Sequence, residues 1–223
     1  MCEINMNIIT CGNCIDLMKE MENNSVEMAL TDIPYEVINR DSNGLRNFDK
    51  SDADEKTFEL DVFIREVSRV TKGSVYIWCS TEQVSFIRSE LIRLGLSTRL
   101  CIWEKCNPSP CNGEYIWLSG VECCVYGKKK KAIFNEHCKN TVWRYPVVKK
   151  QFHPTQKPLN LFQYLIQVSS NPGDIIFDPC VGSGTTCVAA IREKRRFIAF
   201  DLNPEYVKIA EKRVEETLLN DEV

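Results

Sequence analysis

An apolar run ends in Phe177-Asp178, a turn follows through Pro179-Cys180-Val181-Gly182-Ser183-Gly184, and Thr185-Thr186 opens a helical stretch. Glycine is needed in such a turn where backbone must approach a ligand closely or take positive φ. The next apolar run, Phe197 to Asp201, ends in an acid seventeen residues beyond Gly184. Strand, glycine turn, helix, strand with a terminal acid is a unit of an open α/β sheet with ligands at the strand ends. It serves dinucleotides as well as other adenosine cofactors. Against the dinucleotide reading, Cys187 stands where a third glycine belongs, and no lysine follows the glycines as a phosphate-binding loop requires.

The rest of the chain agrees with that architecture. Val26 to Thr31, Ser74 to Cys79, Leu100 to Trp103, Cys123 to Tyr126 and Ile175 to Asp178 are short apolar runs, as expected of strands covered on both faces. Helical stripes lie between them. Phe63, Val67 and Val70 form one that Gly73 should end. Val84, Ile87, Leu91 and Leu94 form another, with Ser80 and Gln83 as a capping box and Gly95 as the stop. The last helix has Asn203 as N-cap, Pro204 at its first position and a stripe of Val207, Ala210, Val214 and Leu218. The alternation predicts a doubly wound, mostly parallel sheet. At 223 residues the chain makes a single domain, 1–223. Two segments break the pattern. Residues 36–57 are polar and should form a mobile loop. Residues 104–152 carry Pro108, Pro110, Gly113, Tyr115, Trp117, Trp143 and Tyr145 and should form an irregular or hairpin insertion.

Composition narrows the setting. No apolar run reaches the roughly 18 residues of a membrane span, and the start lacks a signal-peptide pattern, so the expectation is a cytoplasmic protein. Twelve cysteines, with Cys11-x-x-Cys14 and Cys123-Cys124 near Cys106, Cys111, His137 and Cys138, raise the question of zinc. No second Cys-x-x-Cys stands at finger spacing, and Cys79, Cys101 and Cys187 sit in apolar patterns, so reduced buried thiols are expected and no metal. The formal net charge is -3, yet nine bases fall between Gly127 and Lys157 against one acid, Glu136. Lys128, Lys129, Lys130, Lys131, Lys139 and Arg144 are therefore candidates for a face that binds nucleic-acid phosphates. A solvated turn is the alternative for the four-lysine run alone.

Thr31-Asp32-Ile33-Pro34-Tyr35 closes the first of these strands, which puts Asp32 at a carboxyl end. An exocyclic aromatic amine is a weak nucleophile because its lone pair is delocalised into the ring. Asp32 and the Ile33 carbonyl supply two acceptors for its N–H groups, Pro34 stiffens the turn and Tyr35 offers a face for a flipped base. In isolation, the tetrapeptide Asp32 to Tyr35 also fits an ordinary strand-ending turn.

With the glycine turn and His153-Pro154-Thr155-Gln156-Lys157-Pro158 just upstream of it, this motif resembles the permuted β-group of S-adenosylmethionine-dependent amino-DNA methyltransferases, over about residues 12 to 213. The resemblance implies a Rossmann-like methyltransferase fold with a small target-recognition insertion at 104–152. It implies S-adenosylmethionine as cofactor, DNA as partner and restriction–modification as setting. Catalytic roles fall to Asp32, Ile33, Pro34 and Tyr35. Asp178, Pro179, Cys180, Gly182, Ser183, Gly184, Thr185, Thr186, Asp201 and Leu202 would hold the cofactor, Asp201 by its ribose hydroxyls. Thr155 and Lys157 would lie near its methionine carboxylate, and Asn13 and Cys14 near its adenine. The chain departs from the family at Ile33 for proline, Cys180 for phenylalanine, Asn13 for aspartate and Asp201 for glutamate. Asp32 favours adenine N6, since members acting on cytosine N4 more often carry serine there. Cytosine N4 remains the alternative, ahead of an RNA or protein-amide methyltransferase, a nucleotide-binding oxidoreductase or an inactive binding module. The resemblance leaves open a homodimer and a separately encoded restriction enzyme.

Overall fold

The structure is a computed structural model that describes residues 7–34, 59–110, 113–148 and 157–221. Its elements run β1 (Ile8–Cys11), α1 (Cys14–Glu20), β2 (Val26–Asp32), α2 (Leu60–Val70), β3 (Thr71–Cys79), α3 (Val84–Arg93), β4 (Ser97–Lys105), β5 (Val121–Lys128), β6 (Val142–Tyr145), α4 (Leu159–Ser169), β7 (Ile175–Asp178), α5 (Thr185–Arg192), β8 (Arg196–Asp201) and α6 (Pro204–Asp221). The strands join in one sheet of order β1-β8-β7-β2-β3-β5-β4-β6. Among them only β5 runs against its neighbours, pairing antiparallel with both β3 and β4.

Successive residues of a strand point to opposite faces, and the two cores follow that rule. Ala29, Val75 and Ile77 meet Met18 of α1, Phe63 and Val67 of α2 and Ile87 of α3 on one face. Met28, Leu30, Tyr76 and Trp78 meet Leu161 and Phe162 of α4, Ala190 of α5 and Ala210 of α6 on the other. Both faces of β2 and β3 are thus dry, which is why their sequences read as continuous apolar runs. β2 and β7 are adjacent in the sheet, and their crossovers leave in opposite directions, to β3 and to β8. That divergence opens a crevice at their carboxyl ends, where Asp32 and Asp178 stand.

Local expectations need four corrections. Gly73 does not end α2. It lies inside β3, where a Cβ would come within 2.2 Å of the Glu27 carbonyl oxygen, so its role is close backbone approach. In α6 the inward residue is Thr217, buried with its hydroxyl on the Arg213 carbonyl, while Leu218 is 43% exposed. The capping box of α3 is half made: Ser80 N–H donates to Gln83 Oε1 at 3.0 Å, but Ser80 Oγ is buried without a partner. Within the 104–152 stretch, β5 contains the strand expected at Cys123 to Tyr126, but β6 adds a sheet strand that was not expected, and residues 106–110, 113–120 and 129–141 lie outside the sheet. The loop expected at 36–57 lies outside the described residues.

Candidate active site

The Asp32 turn is built from β2 outward. Register with β3 places Asp32 beside Trp78, and Ile33 N–H continues that pairing to the Trp78 carbonyl at 3.2 Å. The Ile33 side chain is buried in the core, and the Pro34 carbonyl accepts from Gln83 Nε2 at 3.3 Å, which ties the turn to the start of α3. Tyr35 lies outside the described residues, as do Thr155, Lys149, Lys150 and Cys111.

Lys157, expected at a cofactor carboxylate, is engaged with protein carboxylates. It is 3% exposed, and its Nζ lies 2.5 Å from Asp32 Oδ2, 3.0 Å from Glu122 Oε2 and 5.6 Å from the Trp78 ring centroid. A cation so buried needs counter-charge close by. Glu122 also meets Lys105 at 2.9 Å. Burial alone would raise the Glu122 carboxyl, but Lys157 and then Lys105 hold it below its usual range, so it is ionised at neutral pH. Sequence reasoning did not single out Glu122. The available signal was one acid in an otherwise apolar strand, Val121-Glu122-Cys123-Cys124-Val125-Tyr126.

The glycine turn forms as its sequence predicts. Gly182 and Gly184 take φ of +50° and +81°. A Cβ at Gly182 would meet nothing within 4 Å, so that part of the turn presents bare backbone to open space, as a cofactor cradle requires. At Gly184 the constraint is packing, since a Cβ there would sit 2.9 Å from Ala210 Cβ. Asp178 Oδ1 accepts from Cys180 N–H at 3.1 Å, and Oδ2 from Thr186 Oγ1 at 2.5 Å. Asp201, expected to meet ribose hydroxyls, accepts from Gly182 N–H at 2.8 Å and Asn203 N–H at 2.9 Å. It therefore shapes the turn. Arg213 of α6 donates to the Ser183 carbonyl and, at 3.1 and 3.5 Å, meets the hydroxyls of Ser183 and Thr185. It was not legible in the sequence, where it reads as one more base of an amphipathic helix.

The N-terminal segment converges on the same place. Gly12 N–H donates to the Asp201 carbonyl at 2.9 Å, and Asn13 caps α1 by accepting from Ile15 N–H at 2.9 Å. A hydrogen bond with Cys14, then burial, pushes the Cys180 thiol well above its usual range, so the start of α1 touches the glycine turn. Pro179 is buried, and Leu202, exposed, accepts from the Cys11 thiol. Among the described residues no three His, Cys, Asp or Glu side chains are grouped to hold a metal.

The basic candidates do not gather at Asp32. Lys128 is in register with Ser74 and Ser97, four residues along β3 from the Trp78 row, or about 13 Å towards the opposite end of the sheet. Lys129 bonds Asn24 at 3.1 Å, and Lys130 and Lys131 are exposed beyond it. Lys128 and Lys139 line a cavity of about 540 Å³ with Arg99, His137, Tyr126 and Trp143. Arg144 pairs with Glu104 at 3.0 Å on the surface. At the Asp32 end of β4 and β5, the connecting loop instead exposes Trp117 and Tyr115, at 96% and 87%.

Residues 26–212 match the family model N6_N4_Mtase, DNA methylase. The type II methyltransferase M2.DpnII of Streptococcus pneumoniae is 31% identical over 95% of this chain and 90% of its own. The DNA adenine methyltransferase YhdJ of Escherichia coli K12 is 30% identical over 92% of this chain and 81% of its own. The crystal structure of M1.HpyAVI with S-adenosylmethionine is similar at a TM-score of 0.72 and 28% identity, covering 92% of this chain and 98% of that one.

Proposed function

The chain belongs to the DNA methylase family, and from that membership we propose that it methylates adenine N6 in DNA, using S-adenosylmethionine. The observation that carries the reading is the juxtaposition at the sheet crevice: Asp32 ends β2 beside the glycine turn that follows β7. A relative named as a DNA adenine methyltransferase supports the choice of base.

The turn at Gly182–Thr186, with Asp178, Pro179, Cys180, Asp201 and Leu202 around it and Asn13 and Cys14 beside it, would hold the cofactor, with Thr155 at its methionine end. Bound there, S-adenosylmethionine supplies an electrophilic sulfonium methyl. Asp32 accepts a hydrogen bond from the extruded amine and concentrates its lone pair on nitrogen, with the Ile33 carbonyl as the second acceptor. Tyr35 stacks on the base, and Pro34 holds the turn. In taking that methyl, as the sulfonium carbon–sulfur bond breaks and the sulfur leaves as a neutral thioether, the nitrogen gives up one proton, which would leave through Asp32. No covalent enzyme intermediate is needed, so positioning supplies most of the acceleration.

Among the described residues of the 104–152 stretch, 106–110 and 113–120, with Trp117 exposed near the crevice end of the sheet, are best placed for target recognition. The lysines at 128–131 and Lys139 stand farther off and would serve flanking phosphates. The protein acts in the cytoplasm, and its type II relatives favour a separately encoded restriction enzyme as its counterpart.

The test uses DNA methylated with labelled cofactor, digested to nucleosides and analysed by mass spectrometry. Label in N6-methyladenine is expected. Label only in N4-methylcytosine overturns the choice of base and leaves the amino-methyltransferase assignment standing.

A further inference from the structure

The acceptor Asp32 is not alone in its pocket. Its Oδ2 lies 2.5 Å from the buried ammonium of Lys157, the kind of short contact that draws electron density away from a carboxylate. A carboxylate fully clamped in this way is a poor partner for an incoming amine. The same ammonium, however, lies 3.0 Å from Glu122 Oε2. Glu122 comes from β5, beyond β3 in the sheet, and is itself fixed by Lys105 from β4 at 2.9 Å. Lys157 is thus shared between two carboxylates from different strands, with the Trp78 ring beneath it at 5.6 Å.

We propose that Glu122 is a positioning residue for methyl transfer: it provides a second seat for the Lys157 ammonium, so that Asp32 is released to accept the substrate amine. The proposal rests on the reading of Asp32 as the amine acceptor. Moving the ammonium between two carboxylates keeps it paired throughout, which a cation as buried as Lys157 demands. Lys105, Glu122, Lys157 and Asp32 alternate in charge, so the transfer exchanges one ion pair for another. Lys105 keeps Glu122 on its strand while Lys157 moves. Among the described residues, loss of Glu122 leaves Asp32 as the carboxylate on which the ammonium stays.

Glu122→Gln preserves shape and removes the second seat. The expected result is a kcat lower by about 10- to 100-fold, the scale of a misplaced reacting group, with unchanged dissociation constants for S-adenosylmethionine and for DNA. Glu122→Asp should recover part of the rate. In a double-mutant cycle with Lys157→Met, the Glu122→Gln loss should vanish, since Glu122 acts only through that ammonium. Wild-type kcat in Glu122→Gln, additive losses in the cycle, or a loss confined to cofactor affinity would each overturn the proposal. Thermal melts of each variant separate these outcomes from unfolding. The assay scores total methyl transfer, so discovery of N4-methylcytosine as product would change the proposed base without touching this result.

Discussion

Asp178 and Thr186 are joined by a 2.5 Å hydrogen bond that closes the glycine turn on itself, from the last residue of β7 to the second of α5. The Thr186 hydroxyl also lies 3.4 Å from the Leu30 carbonyl, so the turn is tied to β2, the strand that presents Asp32. A cofactor turn and an acceptor turn that derive from distant parts of the sequence are thereby set in one frame.

Burial pushes the Asp178 carboxyl up to about 7, with the bonds from Thr186, Cys180 and Thr31 opposing the shift and the charge of Asp32 adding to it. The folded state therefore holds this proton more tightly than the unfolded chain does. Its stabilising effect is complete below the ordinary carboxylate range and is lost as pH rises through about 7. Within that window the group should lower unfolding free energy by up to about 1.4 kcal/mol per pH unit. Asp178→Asn should flatten the dependence in urea unfolding followed across the window. An unchanged slope would show that Asp178 ionises freely in the fold.

The two glycines of the turn should respond differently to alanine. At Gly184, φ is +81° and a Cβ would sit 3.0 Å from Ala210 Cα and 2.9 Å from its Cβ, so α6 must move. Gly184→Ala should cost about 1–3 kcal/mol of stability and lower the melting temperature with or without cofactor. At Gly182 the added methyl meets no protein atom within 4 Å, so Gly182→Ala should affect the melting temperature less and cofactor binding more. Equal effects of both variants on the ligand-free melt would refute the distinction.

Much of this arrangement was legible because the signals were local. Gly182 and Gly184 announce positive φ, Asn203-Pro204 announces a helix start, and Val26 to Thr31 announces a buried strand that delivers Asp32. What stayed hidden depends on contacts between distant segments. Glu122 matters through Lys157, thirty-five residues away, and Arg213 through Ser183, thirty residues away, and neither pairing leaves a periodic trace. β1 and β6, four residues each, are too short to show alternation. The lysine run misled for a related reason. Charge clustering along a sequence says nothing about the end of the sheet it occupies, and antiparallel β5 carries Lys128 away from Asp32.

Asp201 should couple turn geometry to cofactor affinity. Its carboxylate receives the N–H groups of Gly182 and Asn203, so Asp201→Ala leaves two donors without their acceptor. A stability loss of about 1–3 kcal/mol is expected, together with a smaller upward shift of melting temperature on adding S-adenosylmethionine. Stabilisation of the unmodified protein by NAD and not by S-adenosylmethionine would return the turn to the dinucleotide reading.

Asp32→Asn should separate chemistry from binding. The amide keeps the shape of the side chain and one acceptor oxygen but loses the negative charge that draws the amine N–H. Lys157 retains Glu122 as counter-ion, so the pocket keeps a paired ammonium and the fold should survive. Methyl transfer should fall by about 100- to 1000-fold, the scale of losing one preorganised electrostatic partner of the reacting group. Cofactor affinity, measured by calorimetry, should stay near that of the unmodified protein, because the turn that would hold the cofactor is built on β7 and β8. If the loss appears in the cofactor dissociation constant while kcat at saturation is unchanged, Asp32 belongs to cofactor binding, and the amine must find its acceptor elsewhere.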